Sequence, residues 1–234
     1  MLNLPFNHTV ALIIITVVVS LLAFSNQKLM SRLIFWPPAM QKGQYDRFIT
    51  HGFVHADGAH LLFNMITLFF FGSVIESFYR QYFFDLGFAL FYLGGLIFAI
   101  LPSYLKHKND FQWASLGASG AVSAVLFAYI LFEPWKLIFV FFIPVPAIIF
   151  AVLYVAYSIW SGKRGNSHIN HSAHLWGAAY GVVVTILIEP RVIPHFLNKL
   201  AQLPFKTQRD PSFINIREWL NHHTSSAIRR NIFK

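Results

Sequence analysis

The sequence contains no cysteine and few charged residues. None of its 234 residues is cysteine, which excludes disulfide bonds, thiolate metal sites and a cysteine nucleophile. Only 12% of the residues are charged whereas 56% are hydrophobic, and the mean hydropathy is +0.54. A soluble domain has more charge and less apolar composition than this. The composition therefore predicts a multi-pass integral membrane protein.

Charge is also absent from several long stretches, and these stretches locate the predicted membrane spans. A helix crosses a bilayer with about 20 apolar residues, and lipid cannot satisfy the polar groups of an open backbone. We therefore predict an all-α fold with six transmembrane helices. Their predicted bounds are 9–25, 59–79, 83–103, 115–132, 137–159 and 173–189.

A long connection precedes the second predicted span, and a basic tail follows the sixth. Residues 26–58 contain several aromatic side chains and a Pro-Pro pair, which favour a partly membrane-embedded loop. We expect residues 1–190 to form the transmembrane domain and residues 191–234 a basic tail. Such a tail favours contact with anionic lipid headgroups rather than nucleic acid. A small excess of Lys and Arg on one side favours cytoplasmic termini.

Polar side chains at the starts of spans two, four and six form three clusters. The first contains His51, His55, His60 and Asn64, the second contains Ser119, and the third contains His171 and His174. Polar groups inside a membrane are costly and therefore mark candidate functional sites. Because alternate spans run in the same direction, all three clusters are predicted to lie in the same leaflet.

Small residues accompany the second and third clusters. Gly117 and Gly120 flank Ser119, whereas Gly177 and Gly181 form a GxxxG motif after His174. Glycines let the backbones of two helices approach closely. If these glycine faces pack together, the histidine comes within hydrogen-bond distance of the serine, which is the geometry that activates a nucleophile through a general base.

These residues predict a nucleophilic mechanism. Ser119 would attack a peptide carbonyl while His174 takes its proton and later returns it to the leaving amine. The Asn64 amide, the Ser119 backbone N–H and His60 are the candidate donors to the oxyanion, and His55 is a supporting residue. The only acid near the three clusters lies in a loop, so we predict a Ser-His dyad that uses no metal or other cofactor.

The three motifs together resemble those of the rhomboid intramembrane serine proteases in their six-helix bacterial form. The family pattern of His, His and Asn, spaced by five and four residues, is met by His55, His60 and Asn64. Its GxSG motif is met by residues 117–120 and its AHxxGxxxG motif by residues 173–181. The resemblance implies cleavage of transmembrane segments of other membrane proteins near the extracytoplasmic side. It also implies a bacterial plasma membrane location with both termini in the cytoplasm.

The chain departs from the family pattern at three places. Arg47 follows an aspartate, whereas the family often has a Trp-Arg pair in its first loop. Ser123 occupies a position where relatives often place an aromatic ring against the catalytic imidazole, so the orientation of His174 must come from elsewhere. Pro144 and Pro146 fall in the fifth predicted span, where they weaken the helix and suggest either a packing kink or a gate.

Three other functions stay open at the sequence level. The chain could trim C-terminal anchors in the manner of a rhombosortase, or could be a catalytically inactive relative that binds membrane helices. A metal or haem protein is the third alternative, since His51 and His55 are one helical turn apart and a further histidine pair, His171 and His174, lies on the sixth span. That alternative leaves Ser119 and Asn64 without a role. The sequence predicts neither the natural substrate nor the oligomeric state.

Overall fold

The computed structural model describes residues 7–140, 142–164 and 169–202. Within these ranges the chain is mainly helical and contains one short hairpin. The helices are α1 (His8–Phe24), α2 (Gln27–Leu33), α3 (Arg47–Thr50), α4 (Gly58–Phe83), α5 (Gly87–His107), α6 (Ser119–Phe132), α7 (Ala147–Arg164), α8 (His171–Ile188) and α9 (Val192–Ala201). The strands are β1 (Leu137–Val140) and β2 (Ile143–Pro146), and 3-10 turns cover Pro37–Lys42, His51–Phe53 and Phe84–Leu86.

Three of the described helices are long and apolar enough to cross a membrane, namely α4, α5 and α8. Helices α1 and α6 are also apolar but contain only 17 and 14 residues. A chain with this composition and these helices is an integral membrane protein. The arrangement of six spans stays a prediction.

Helix α6 lies at the centre of the bundle. Every residue from Gly120 to Phe132 is buried, because α4, α5 and α8 surround the helix and α7 and α9 also contact it. The contact with α8 is especially close: a methyl group on Gly177 would overlap the carbonyl of Gly120, and one on Gly181 would overlap that of Ala124. The GxxxG face of α8 therefore packs directly against the backbone of α6.

The first half of the fifth predicted span is a β-hairpin, so the prediction of an all-α fold and of a helix over 137–159 was wrong there. Strands β1 and β2 pair antiparallel, and helix α7 begins only at Ala147. Pro144 and Pro146 explain the difference, because proline has no backbone N–H and disrupts a helix interior. The two prolines are two residues apart, so their backbone nitrogens face the same edge of β2. A missing N–H donor is tolerated at such an edge.

Several further boundaries differ from the predicted ones, and α4 and α7 end four and five residues later than predicted. Helix α5 is displaced by four residues relative to the predicted 83–103, because a 3-10 turn follows α4. Helix α6 begins at Ser119 instead of residue 115. The preceding Gly117 has a φ of 113°, a conformation that favours glycine and interrupts the helix. Ser119 is consequently the first residue of its helix and does not lie a full turn inside it.

Arg47 anchors the long connection between α1 and α4. Its side chain is buried and donates hydrogen bonds to the carbonyls of Ser31 and Ile34, at 2.9 and 2.6 Å, and to the side chain of Gln44 at 2.8 Å. Charge-assisted bonds of this kind hold a loop firmly. The connection is therefore folded although its arginine lacks the preceding tryptophan of the family pattern.

The basic tail begins with helix α9, which packs below the end of α6. His195 donates from Nε2 to the carbonyl of Phe132 at 3.0 Å, and Trp135 donates from Nε1 to the carbonyl of Lys199 at 3.1 Å. These contacts join the start of the tail to the bundle. Residues 203–234 of the predicted tail lie outside the described residues.

Candidate active site

Ser119 and His174 form a hydrogen bond at one end of the bundle, with 2.8 Å between Oγ and Nε2. Ser119 is the first residue of α6 and His174 lies in the first turn of α8. The GxxxG contact brings these two helix starts together. Both side chains are half-buried. At this distance an imidazole can accept the proton of a serine hydroxyl.

The start of α8 is fixed by Asn170, a residue that the sequence analysis missed. Its side-chain oxygen accepts the N–H of Ala173 at 3.1 Å, and its amide donates to the hydroxyls of Ser103 and Ser115 at 3.1 and 3.2 Å. The asparagine thus caps α8 and ties it to α5 and to the segment before α6. An asparagine directly before an apolar helical segment is a recognisable cap signal.

His55 holds the segment that leads into α6. It is fully buried; its Nε2 accepts the N–H of Ala118 at 3.3 Å, and its Nδ1 donates to the hydroxyl of Ser20 at 3.0 Å. The Ser20 hydroxyl in turn donates to the carbonyl of Phe53 at 3.0 Å. This pattern requires the neutral imidazole. Burial lowers the pKa of His55 to about 3, and the neighbouring His60 contributes in the same direction.

His60 and Asn64 lie on one face of α4 and border the serine. The His60 ring packs against Gly117, where a side chain would overlap it. Asn64 is buried and donates one amide hydrogen to the carbonyl of His60 at 2.9 Å, which leaves its second amide hydrogen for another acceptor. Asp57 accepts the N–H of His60 at 2.8 Å, so its carboxylate caps α4.

The first turn of α6 supplies further donors. The first N–H groups of a helix have no acceptor within the helix, and the cap residue Ala118 provides no side-chain acceptor. The helix dipole also places partial positive charge at this end. The backbone around Ser119 therefore favours a negatively charged oxygen, and the Asn64 amide and His60 lie on the neighbouring helix.

A cavity of about 770 Å³ opens over these residues. Helices α4 to α8 all contribute to its wall. Among its lining side chains are His60, Asn64, Ser119, Tyr154, His171 and His174. A cavity of this size can hold a small molecule or several residues of an unwound peptide.

Three side chains of α7 contact the histidines of α8, and the sequence analysis missed all of them. The Tyr157 ring lies edge-on against His171, with 5.5 Å between the centroids. The Tyr154 ring lies nearly parallel to the His174 ring, with 5.9 Å between their centroids and 17° between their planes. The Tyr154 hydroxyl shares a hydrogen bond of 2.6 Å with Ser123. Ser161 lies 2.8 Å from Nε2 of His171. The only available signal was that Tyr154 and Ser161 are two helical turns apart and thus share a face.

The described residues contain no group of three His, Asp or Glu side chains arranged to hold a metal ion. Of the first proposed pair of ligands, His51 and His55, His55 already engages both ring nitrogens in hydrogen bonds with Ala118 and Ser20. The His51 ring packs edge-on against Phe35. The geometry in this part of the chain does not favour the metal or haem alternative.

Comparison with known proteins identifies the same region. The family model described as Rhomboid domain matches residues 42–191. "RHOMBOID-like protein 12, mitochondrial" of Arabidopsis thaliana is 33% identical over 172 residues, which are 68% of this chain and 51% of that protein. "Rhomboid protease GlpG" of Enterobacter sp. (strain 638) is 30% identical over 126 residues, or 52% of this chain and 41% of that protein. The chain thus spans about half the length of these curated relatives. The matched region contains all three polar clusters and most of the described helices, and the chain belongs to the rhomboid family.

Proposed function

We propose that the protein is an intramembrane serine endopeptidase that cleaves transmembrane segments of other membrane proteins near the extracytoplasmic side. The observation that carries this proposal is the 2.8 Å contact between Ser119 Oγ and His174 Nε2 at a cavity in the bundle. The relative from Enterobacter is named a rhomboid protease, which supports peptide hydrolysis as the reaction.

The reaction uses the side chains of the chain itself. Ser119 Oγ attacks the substrate carbonyl as Nε2 of His174 accepts its proton. The oxyanion receives hydrogen bonds from the Ser119 N–H, the Asn64 amide and His60, each donor being worth roughly 3 kcal/mol of the barrier. The imidazolium then protonates the leaving amine, and water attacks the acyl-serine with His174 again acting as the base.

We further propose that α1, α4, α5, α6, α7 and α8 are the six spans. The starts of α4, α6 and α8 then share one leaflet, which agrees with the contact between Ser119 and His174. With cytoplasmic termini, that leaflet is the extracytoplasmic one. Placement in a bacterial plasma membrane stays a prediction.

The remaining alternatives differ in how much of this site they use. A catalytically inactive relative has no need of a hydrogen-bonded serine and histidine, so the dyad contact favours an enzyme. Trimming of C-terminal anchors is a narrower form of the same reaction and requires the same two residues.

Replacing either member of the dyad tests the proposal. We expect purified wild-type protein in liposomes to cut a reporter transmembrane helix, and Ser119→Ala and His174→Ala each to lower the rate by at least about 10⁴-fold with unchanged circular dichroism. A fluorophosphonate probe should modify Ser119 alone. Ser77→Ala is the matched control, because Ser77 is an exposed serine of α4 whose hydroxyl, among the described residues, bonds to the carbonyl of Ser73 in its own helix. Undiminished cleavage by Ser119→Ala would refute the mechanism.

A further inference from the structure

Two ring contacts fix the orientation of the His174 imidazole: an edge-on contact with His171 of its own helix, with centroids 6.0 Å apart, and the nearly parallel contact with Tyr154. Among the described residues its side-chain hydrogen bond is the one to Ser119. In a three-membered serine triad a carboxylate holds the other ring nitrogen and so sets the plane of the ring. Among the described residues no acid bonds to that nitrogen, and Asp57 caps α4 instead. Without support from neighbouring rings the imidazole could rotate away from the serine.

Tyr154 supplies that support from α7. Its ring is offset from the His174 ring and nearly parallel to it, an arrangement that aromatic rings favour. Tyr154 also packs against Phe127 of α6 and Phe150 of α7, with ring centroids 5.6 and 5.5 Å apart. Because these contacts hold the Tyr154 ring in place, the ring restricts rotation of the imidazole that lies against its face.

Ser123 fixes the far end of the tyrosine ring. A phenol hydroxyl in an apolar interior needs a hydrogen-bond partner, and Ser123 is that partner at 2.6 Å. Ser123 is buried and lies one helical turn after Ser119 on α6, hence on the same face. The nucleophile and the anchor of the tyrosine therefore belong to one rigid element.

We propose that Tyr154 is a positioning residue that orients the imidazole of His174, and that Ser123 anchors it. This inference rests on the proposed function of the dyad. It assigns a role to the serine that stands where relatives often place an aromatic residue. In this chain the aromatic ring comes from α7, so the orientation of the general base depends on where α7 lies.

The rate of serine labelling separates positioning from simple stability. The first-order rate constant of fluorophosphonate labelling reports how well the base activates Ser119, whereas the endpoint reports the folded fraction. We expect Tyr154→Leu to lower the rate constant roughly tenfold to a hundredfold with an unchanged endpoint. In cleavage of a reporter helix, kcat should fall and KM should stay constant. Trp160→Leu, which removes an exposed ring of the same helix whose described ring contacts are with Tyr157 and Arg164 of α7, should label at the wild-type rate.

Two further variants test the anchor. Tyr154→Phe and Ser123→Ala should each cause a smaller and equal loss, and combining them should cost no more than either alone, because both remove the same hydrogen bond. Adding Ser123→Tyr to Tyr154→Leu should restore most of the rate constant, since the new ring enters the volume that Tyr154 vacates.

Other outcomes would overturn the inference. A wild-type rate constant in Tyr154→Leu, or a loss confined to its endpoint, shows that the tyrosine only packs. Additive losses from Tyr154→Phe and Ser123→Ala contradict the anchor. In each of these cases the wild type still cuts, and the proposed function stands. A wild type that neither cuts nor becomes labelled at Ser119 instead refutes the proposed function and this inference with it.

Discussion

Asn64 lies in the second turn of α4, where an amide is costly unless its hydrogen-bonding groups find partners. It satisfies one donor within its own helix, at the carbonyl of His60. Asn64 also lines the cavity that Ser119 lines. A polar group that is satisfied only in part at a cavity is suited to an acceptor that forms during the reaction, such as an oxyanion.

Asn64→Ala should therefore slow the chemical step more than it weakens substrate binding. We expect kcat for a reporter helix to fall by about 10²–10³ with little change in KM. Ser77→Ala again serves as the control for an alanine substitution in α4. An unchanged kcat in Asn64→Ala, with intact helical structure, would assign the asparagine to helix packing only.

Glu76 shows that a polar residue inside a membrane helix can also be purely structural. Its carboxylate accepts the N–H groups of His8 and Thr9 at 2.8 and 2.9 Å and the Thr9 hydroxyl at 2.7 Å. Arg80 donates to it at 2.7 Å. The side chain thus caps α1 with a negative charge at the positive end of that helix, and its described partners do not include Ser119 or His174.

At the scale of helices and strands, sequence patterns located two of the apolar helices closely. The predicted spans 9–25 and 173–189 agree with α1 and α8 within two residues, because both segments have clear polar ends. The hairpin was missed because β1 and β2 are as apolar as a span, and hydropathy does not distinguish a short apolar strand from a helix. The sequence signal against a helix in this segment was the pair of prolines in β2.

Local sequence motifs predicted Ser119 and His174 of the candidate site, but they did not predict the contacts that surround these residues. Ser119 and His174 are recognisable because each lies in a short glycine-containing pattern. Tyr154 is not, because its contact with His174 depends on where α7 begins after the hairpin and on how that helix is rotated. Such a contact between distant segments leaves no local pattern in the sequence.

The close contact between α6 and α8 predicts that a larger residue at Gly177 destabilises the protein. Gly177→Ala places a methyl group onto the carbonyl of Gly120, so the helices must separate, and we expect a destabilisation of about 1–3 kcal/mol or more. The same separation draws His174 away from Ser119 and should lower activity in the fraction that stays folded. Thermal unfolding followed by circular dichroism, together with fluorophosphonate labelling, measures both effects. Gly58→Ala is the control, because a methyl group there meets nothing within 4 Å; equal stability of the two variants would contradict the close contact.

Across the whole molecule, the end of the bundle opposite the dyad is held by ion pairs and hydrogen bonds. Glu189 follows α8 and accepts from the Tyr82 hydroxyl at 2.6 Å and from the Arg191 guanidinium at 2.7 Å. Burial acts to raise the pKa of Glu189, but these donors outweigh it and hold the pKa below its usual range. This carboxylate therefore joins α4, the end of α8 and the start of α9.

Helix α9 should accordingly behave as part of the transmembrane domain, although composition places it in the tail. A chain that ends after Gln202 keeps the bonds from His195 to Phe132 and from Trp135 to the backbone of α9. A chain that ends after Pro190 loses them, and each buried polar group left without its bond costs about 1–3 kcal/mol. We expect the shorter chain to unfold at a lower temperature and to be less active in liposomes, because α6 carries Ser119 at its other end. His195→Ala should show a smaller loss in the same direction. Equal thermal unfolding of the two truncated chains would place the domain boundary at residue 190 after all.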